Sequence, residues 1–370
     1  MGITVKTQEL DAAIRTGGVL GKAGHATTVE LSKTNAGALS VVVTSTDGHW
    51  YERLCGALGE SSQRERMKVS VALRQLAAVV GVLRGEETDL SFDGRRLTVK
   101  SGAARFALPV VSEELAGDRK PCAASELSAQ WDRIGPALDR VLPSVSHDES
   151  RYVLNGVHFE RDGDHLVLVS SDGHRLSLTR VAWPSGDCGL AQDGVIVSAE
   201  ACRLLRASAS PDGRWCIDGG AVHYWDEQQS LVLRLIDGEF PAWRQVLPSD
   251  AALQVVTVAS GALSDTVDQA RAIGADGIVL DVEPQLLTLS TATLEAGALV
   301  VEQPIATASE TKARTRMNPL YLRDAVRAVG GGSVALHLRD SIEPVVVTGE
   351  GESLSDAKTV VVVMPMRDGA

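Results

Sequence analysis

The chain carries one short apolar pattern at three places, and this repetition constrains its fold more than any other feature. The pattern reads VVVTSTDGH at 41–49, LVLVSSDGH at 166–174 and LLTLSTATL at 286–294. Successive copies lie about one small domain apart, a spacing too long for a solenoid unit. We therefore predict one module used three times, with boundaries at 1–119, 120–250 and 251–370.

Two further landmarks occur in the same order. Arg74, Arg203 and Arg323 stand at like places in segments whose apolar residues recur at helical spacing. A weaker landmark, predicted to begin the first helix of each module, is the leucine at positions 10, 127 and 263. One landmark could recur by chance in a chain of 370 residues, but three in one order favour a repeat.

The middle module shows the local structure most clearly. We predict strands at 152–160 and His165–Ser171, separated by turn residues, and a third at His174–Val181 after a hairpin at Asp172-Gly173. Helices are predicted near 125–140 and 198–209. Each module is therefore expected to be α+β, with helices on one face and an antiparallel sheet on the other.

Composition sets the broad class. Hydrophobic residues make up 44% of the chain, and no apolar run is long enough to span a bilayer. The N-terminal sequence lacks the apolar core of a signal peptide, and the five cysteines show neither CxxC nor metal-ligand spacing. We expect a cytoplasmic protein without a metal site or other cofactor.

The net charge of −12 argues at first against nucleic acid as a partner, because proteins that bind phosphates are usually basic. Binding depends, however, on the local field rather than on the net charge. The segments around the three predicted second helices carry Arg64, Arg66, Lys68, Arg74, Arg203, Arg206, Arg314, Arg316, Arg323 and Arg327. Each alone fits a solvated helix face, whereas recurrence in three modules favours a shared basic surface.

Several longer stretches are specific enough to compare with a known family. They are RYVLNGVHFE at 151–160, SSDGHRL at 170–176, LIDGEFPAWRQVLP at 235–248, VVVMPMR at 361–367, RFALP at 105–109 and MNPLYLRDAV at 317–326. Taken in their order along the chain, they resemble the bacterial sliding clamp, the beta subunit of DNA polymerase III. The resemblance runs along the whole chain and is weakest before residue 100.

The resemblance implies a processivity factor for DNA polymerase rather than an enzyme. Two chains of three modules would join head to tail as a homodimer and close a ring around duplex DNA, with helices lining the hole and antiparallel sheets outside. The DNA contacts would then be independent of sequence. The residues expected to face DNA are Lys22, Arg74, Arg203, Arg206, Arg323 and Arg327.

In this family, DNA polymerases, the clamp loader and repair factors dock short peptide motifs into a pocket between the second and third modules. The matching residues are Leu154, Ser171, Gly173, His174, Arg175, Leu176, Pro241, Gln245, Val246, Asn318, Tyr321, Val362, Met364, Pro365, Met366 and Arg367. Methionines suit such a pocket because their side chains adapt to varied partners. Without the resemblance, Leu176, Val362 and Met364 would be assigned to the core.

The resemblance also implies a seam between the two subunits. The expected residues are Lys100, Arg105, Phe106 and Leu108 from one subunit, and Arg271, Ile273, Glu295 and Glu302 from the other. Some clamps carry a larger acidic cluster where this chain has the two glutamates. Gln245 also replaces a basic residue of many clamps, and Asp368-Gly369-Ala370 follow the MPMR stretch.

Two alternatives remain open. A specialised second-copy clamp, or a clamp-shaped scaffold, would share the fold but bind an altered set of partners. An enzyme would use Asp172 and His174 as a catalytic pair with Ser170 or Ser171 as the nucleophile, because Asp and His two apart on a strand share a face. No nucleophile elbow or phosphate-binding glycine loop surrounds these residues, which argues against the enzyme.

Overall fold

A computed structural model describes residues 2–21, 27–46, 48–58, 67–111, 127–128, 131–183, 188–248, 253–293, 297–307 and 312–366. The α-helices in this part of the chain are α1 (Thr7–Gly17), α2 (Leu73–Val80), α3 (Trp131–Val141), α4 (Ala199–Ser208), α5 (Ser260–Ala272) and α6 (Pro319–Val329). Short 3-10 helices span Gly18–Gly21, Leu142–Ser144, Glu149–Leu154 and Trp243–Val246. None of the helices found here is long and apolar enough to cross a membrane.

The first sixteen strands are β1 (Gly2–Lys6), β2 (Thr27–Lys33), β3 (Leu39–Ser45), β4 (Trp50–Cys55), β5 (Lys68–Ala72), β6 (Glu87–Phe92), β7 (Arg96–Ser101), β8 (Ala104–Pro109), β9 (Leu127–Ser128), β10 (Gly156–Asp162), β11 (His165–Ser171), β12 (Arg175–Ala182), β13 (Val195–Ser198), β14 (Arg214–Asp218), β15 (Ala221–Trp225) and β16 (Gln229–Ile236). The remaining nine are β17 (Gln254–Ala259), β18 (Ile278–Glu283), β19 (Leu286–Thr293), β20 (Gly297–Pro304), β21 (Ala306–Thr307), β22 (Ala313–Met317), β23 (Ser333–Leu338), β24 (Val345–Gly349) and β25 (Thr359–Val363).

The chain divides into two compact units. Unit 1 comprises Met1–Gly135, Pro184–Ala191 and Val197–Ile236, and unit 2 comprises Pro136–Trp183, Gln192–Ile196 and Asp237–Ala370. In unit 1, the order β1-β6-β7-β8 forms one antiparallel sheet. A second antiparallel sheet has the order β5-β2-β3-β4-β16-β15-β14-β9, so strands far apart in sequence are joined where β4 pairs with β16.

Unit 2 is built in the same way. One antiparallel sheet has the order β20-β19-β18-β22. The other has the order β10-β11-β12-β25-β24-β23-β17-β21 and is joined where β12 pairs with β25, with Arg175 opposite Val363 and Thr179 opposite Thr359. This second joint brings the predicted second-module hairpin beside the C-terminal strand.

The order of elements repeats along the sequence. A strand, a helix, three strands, a fourth strand, a second helix and three more strands occur in 2–109 and again in 127–236. The range 254–363 has the same order with the short strand β21 added. Strands β3, β11 and β19 contain most of each copy of the apolar pattern, and Arg74, Arg203 and Arg323 all lie in second helices. This order supports the three-module hypothesis, whose boundaries remain a prediction.

Among the described residues of unit 2, buried side chains form two core groups. One packs helices α5 and α6 on the two sheets and includes Leu263, Val267, Ile278, Leu322 and Val334. The other, which we name the joint cluster, covers the β12–β25 joint. Its members are Val167, Val169, Leu176, Leu178, Trp243, Val346, Leu354, Ala357, Val360 and Val362.

Some local predictions were wrong. The residues before Gly156 form a 3-10 helix rather than a strand, because the Asp148 side chain accepts a hydrogen bond from the Ser150 amide and caps that helix. Leu127 lies in strand β9 and does not begin a helix. Three basic residues assigned to second-helix segments, Lys68, Arg314 and Arg316, lie in strands. The hairpin strands and the helix near 198–209 are confirmed within one or two residues.

Candidate functional site

The β11–β12 hairpin of unit 2 is held by its own side chains. Asp172 Oδ1 accepts hydrogen bonds from the backbone amides of His174 at 2.9 Å and Arg175 at 3.0 Å. Gly173 has a φ of +88°, and a Cβ atom there would lie 2.5 Å from Nη1 of Arg151. The sequence Asp-Gly therefore fixes a tight turn that presents His174 at the surface.

Arg175 is the most heavily bonded residue of this hairpin. Its Nε donates to Asp172 Oδ2 at 3.0 Å, and its Nη1 donates to Asp324 Oδ2 at 2.8 Å. Its Nη2 donates to the carbonyl oxygen of Pro143, and the guanidinium lies 4.4 Å from the ring centroid of Tyr321. Only 11% of the Arg175 side chain is exposed, so its charge is neutralised inside the protein.

Helix α6 supplies the facing side of the site. Asn318 Oδ1 accepts a hydrogen bond from the Leu320 amide at 2.8 Å and caps the helix, and Pro319 occupies the first turn. The Tyr321 ring stacks on the His174 ring, with centroids 6.5 Å apart. Burial, followed by the nearby Asp172 carboxylate, raises the pKa of the Tyr321 hydroxyl.

The C-terminal segment crosses between these elements. The Met364 amide donates to the His174 carbonyl at 2.9 Å, and the Met366 amide donates to the Arg316 carbonyl on strand β22 at 2.7 Å. Met364 is 41% exposed, although it directly follows a fully buried strand, and Pro365 and Met366 are half-buried. An exposed methionine fixed by backbone hydrogen bonds on both sides is available to a partner. Arg367 lies outside the described residues.

Three other predicted pocket residues lie deeper. Leu176 is 2% exposed and Val362 is fully buried, and both belong to the joint cluster. Leu154 is buried as well. In the free chain these residues therefore act as core, whereas Met364, just beyond the end of β25, is exposed.

The segment 237–248, which we name the connector, carries the remaining predicted pocket residues. Pro241, Gln245 and Val246 are exposed, whereas Trp243 is buried in the joint cluster. The indole Nε1 of Trp243 donates to Glu160 Oε2 at 3.1 Å, and Arg244 Nη1 lies 2.8 Å from Glu160 Oε1. The connector thus places polar and apolar side chains at the surface above a buried tryptophan.

Sequence reasoning missed several residues of this region. Asp324 and Glu160 each bond a residue far away in sequence, so no local pattern indicates their partners. Tyr152 is 56% exposed and would lie 3.4 Å from a Cβ atom at Gly238 of the connector. The signal available in the sequence was the position of Tyr152 within the RYVLNGVHFE stretch.

The alternative catalytic arrangement is not formed. Asp172 uses both carboxylate oxygens to bond Arg175 and the turn amides. Ser170 is fully buried and donates to the carbonyl of Val141, and the Ser171 hydroxyl donates to the carbonyl of Arg175. The two serines are therefore committed to the backbone.

The predicted DNA-facing residues differ in exposure. Arg74 on α2, Arg203 and Arg206 on α4, and Arg327 on α6 are exposed. The Arg323 side chain is only 18% exposed and lies 3.4 Å from Asp324 and 3.9 Å from Asp268. Lys22 lies outside the described residues.

The predicted seam residues lie on or near edge strands. Strand β8 ends one sheet of unit 1 and carries exposed Arg105, half-buried Phe106 and buried Leu108. Lys100 lies 3.9 Å from Asp89 on the neighbouring strand β6.

Strand β20 ends one sheet of unit 2 and carries Glu302, which is exposed. Arg271 lies 3.8 Å from Asp268 on helix α5, and Ile273 follows that helix and packs on the core of unit 2. Glu295 falls outside the described residues.

Comparisons with known proteins agree with this architecture. Residues 131–242 match the family described as DNA polymerase III beta subunit, central domain. The beta sliding clamp of Caulobacter vibrioides is 31% identical over 300 residues, which cover 76% of this chain and 77% of that protein.

Two solved structures share the fold along nearly the whole chain. The DNA polymerase III beta subunit of Thermotoga maritima superimposes with a TM-score of 0.85 and 20% identity, covering 99% of each chain. A sliding clamp from Bartonella birtlesii, solved bound to griselimycin, has a TM-score of 0.85 and 21% identity, again over 99% of each chain. On the identity to the Caulobacter clamp, the chain belongs to the bacterial beta sliding clamp family and is a processivity clamp for DNA polymerase.

Proposed function

We propose that two copies of this chain close a ring of six modules around duplex DNA and tether DNA polymerases, the clamp loader and repair factors through short peptide motifs bound in unit 2. Such a protein acts in the cytoplasm, where bacterial DNA is replicated, and needs no cofactor. The chemistry is binding only, because topology holds the DNA and a peptide site holds the partner.

One observation in particular supports a peptide site in unit 2. The segment Met364–Met366 is fixed by hydrogen bonds to His174 on one side and to Arg316 on the other, yet it leaves Met364 exposed. Exposed Pro241 and Val246 on the connector and half-buried Tyr321 on α6 offer further apolar contacts in the same unit. Aliphatic and aromatic anchors of a peptide gain most of their affinity from such contacts. The griselimycin complex of a clamp with this fold supports a ligand site.

The sheet edges support the proposed ring. Strands β8 and β20 each pair on one side among the described residues, so both leave backbone groups open. Val300 on β20 is 63% exposed, so the strand at this edge also offers apolar surface to a partner. Pairing β8 of one copy with β20 of another, twice around a two-fold axis, would cover both edges. Arg105 and Glu302 would add opposite charges to this seam.

The DNA contact is proposed for the second helices. These helices carry four exposed arginines, namely Arg74 on α2, Arg203 and Arg206 on α4, and Arg327 on α6. Exposed arginines on these helices would give a locally positive field even though the chain carries a net charge of −12. Arg323, with two carboxylates beside it, would contribute less than its neighbours.

The test of the peptide site is Met364→Ala. A fluorescent peptide with leucine and phenylalanine anchors should bind at least about tenfold more weakly, because a methionine side chain buried on binding contributes roughly 1.5–3 kcal/mol. Val255→Ala is the matched control, since Val255 is 44% exposed in the same unit but lies on strand β17. Equal binding by the wild type and Met364→Ala would place the peptide site elsewhere.

A truncation gives a second measure of the same site. The truncation removes residues 364–370. It begins at Met364 because Val363 is fully buried and pairs with Arg175, so its loss would disturb the sheet. The shortened chain should fold and lose peptide binding. Removing Asp368-Gly369-Ala370 alone tests whether these residues compete for the site, in which case the peptide would bind more tightly.

A further inference from the structure

We propose that Glu160, which lies outside the set of pocket residues, positions the connector wall of the peptide site. This inference rests on the proposed function, because it concerns the same site. Glu160 is on strand β10, and the connector residues Pro241, Gln245 and Val246 are the wall that it would hold in place.

The Glu160 carboxylate bonds two connector side chains. Its Oε2 accepts a hydrogen bond from the Trp243 indole at 3.1 Å, and its Oε1 lies 2.8 Å from Arg244 Nη1. Oε2 also lies 3.3 Å from Nε2 of His158, which shares strand β10. Only 14% of the Glu160 side chain is exposed. Charge-assisted hydrogen bonds of a nearly buried carboxylate are stronger than those at the surface.

The two connector partners are also coupled to each other. The Arg244 guanidinium lies 4.2 Å from the centroid of the Trp243 ring, so one carboxylate fixes a stacked pair. Phe240, three residues earlier, stacks on the His158 ring at 5.0 Å with an interplanar angle of 11°. Strand β10 therefore holds the connector at Phe240, Trp243 and Arg244.

The connector needs this support because its regular structure is short. It contains the 3-10 helix Trp243–Val246, and its backbone hydrogen bonds from Gln245 to Ala242 and from Leu247 to Arg244 are local. Local bonds give the segment a shape but do not attach it to the sheet. Attachment comes from burial of Trp243 in the joint cluster and from the connector's contacts with strand β10, among which the Glu160 hydrogen bond orients the indole ring.

Glu160 thus acts on peptide binding through Trp243 and Arg244 and not by contact with the peptide. If the Glu160 carboxylate becomes an amide, the more buried of the two negative charges that hold Arg244 is lost, although one oxygen can still accept from Trp243. If Trp243 becomes phenylalanine, the ring still fills the joint cluster, but the indole donor is lost. Both changes leave the surface of the connector chemically unchanged.

The experiment measures the affinity for the anchored peptide in Glu160→Gln, Trp243→Phe and the double variant. We expect each single change to weaken binding about three- to tenfold, as expected for one lost hydrogen bond. The double variant should lose less than the product of the two single losses, because both remove parts of one contact. Asp162→Asn is the matched control: Asp162 accepts from the same Arg244 at 3.0 Å but is 54% exposed. It should change the affinity less than twofold.

The indole proton of Trp243 gives an independent readout. Its NMR resonance should shift in Glu160→Gln and stay in place in Asp162→Asn. Wild-type affinity in both Glu160→Gln and Trp243→Phe, together with weakened binding in Met364→Ala, would overturn the positioning role and leave the proposed site intact. Wild-type affinity in all three would overturn the site as well. If Glu160→Gln fails to fold, Trp243→Phe alone decides the question by the same affinity criterion.

Discussion

Arg175 Nη1 and Asp324 Oδ2 lie 2.8 Å apart, and this ion pair joins the β11–β12 hairpin to helix α6 across 149 residues of sequence. The arginine is also bonded to Asp172, so two carboxylates balance one guanidinium. Arg175 is therefore not a free cation for an acidic partner. It fixes the distance between the hairpin that carries His174 and the helix that carries Tyr321.

We predict that Asp324→Asn lowers the free energy of unfolding by about 1–3 kcal/mol, because it removes the charge from a largely buried hydrogen bond. The same variant should weaken peptide binding, since the hairpin and α6 lose their strongest link. Glu343→Gln is the control, because Glu343 pairs with Arg339 at 2.9 Å on the surface and should cost less than about 0.5 kcal/mol. Chemical denaturation measures both free energies of unfolding. Equal effects of the two variants would contradict the role of Arg175 in linking the hairpin to α6.

Gly173→Ala should destabilise the hairpin by more than about 1 kcal/mol. Its φ of +88° disfavours any side chain, and the new Cβ atom would lie 2.5 Å from Arg151 Nη1. Gly163→Ala is matched, because Gly163 has a φ of +58° in the preceding turn and nothing within 4 Å. Thermal melting of both variants separates the contact with Arg151 from the backbone strain. Peptide affinity should fall only in Gly173→Ala.

The stability of the protein should depend on pH through His158. Burial lowers the pKa of this imidazole below its ordinary value of 6.5, although the Glu160 carboxylate opposes the shift and Arg244 adds to it. The unfolded chain then binds the proton more readily, so this contribution is present above pH 6.5 and is lost as the pH falls below it. His158→Gln should remove that part of the pH dependence. Unfolding curves of the wild type and His158→Gln between about pH 5 and 8 give the free energy of unfolding of each protein. The other histidines contribute equally to both, so the difference between the two free energies reports on His158 alone.

Replacing Arg203, Arg206 and Arg327 with alanine should weaken DNA contact and reduce its dependence on salt. Each lost phosphate contact lowers the slope of log K against log salt by about 0.9. Arg339→Ala is the control, because Arg339 is exposed but lies outside the second helices and is paired with Glu343. Arg323→Ala should have a smaller effect than the others, since Asp268 and Asp324 lie beside it. An unchanged slope in the triple variant would exclude these arginines from the DNA surface.

Local sequence signals predicted the elements well where the pattern was self-contained. The Asp172-Gly173 turn between two apolar strands fixed the hairpin, and the 3.6-residue spacing around Arg203 located α4. Long-range partners could not be predicted. Nothing near Glu160 in sequence indicates that it bonds Trp243, and nothing near Arg323 indicates that Asp268 neutralises it.

The burial of Leu176 and the exposure of Met364 illustrate the same limit. Both are apolar residues at strand spacing, and no local sequence pattern indicates which of the two is buried. Leu176 lies on strand β12 and belongs to the joint cluster, to which the connector contributes Trp243, whereas Met364 lies beyond the end of β25. Which apolar residue stays at the surface is decided by where a distant segment packs.

The proposed ring would hold DNA by encircling it. The decisive measurement loads the protein, with its clamp loader, onto a nicked circular DNA and follows retention before and after the circle is cut once. A ring should stay on the circle at a salt concentration that disrupts ordinary ionic contacts and should leave through the ends after linearisation. Equal retention on the circular and linear forms would show that the protein grips DNA by surface contact and would contradict the ring.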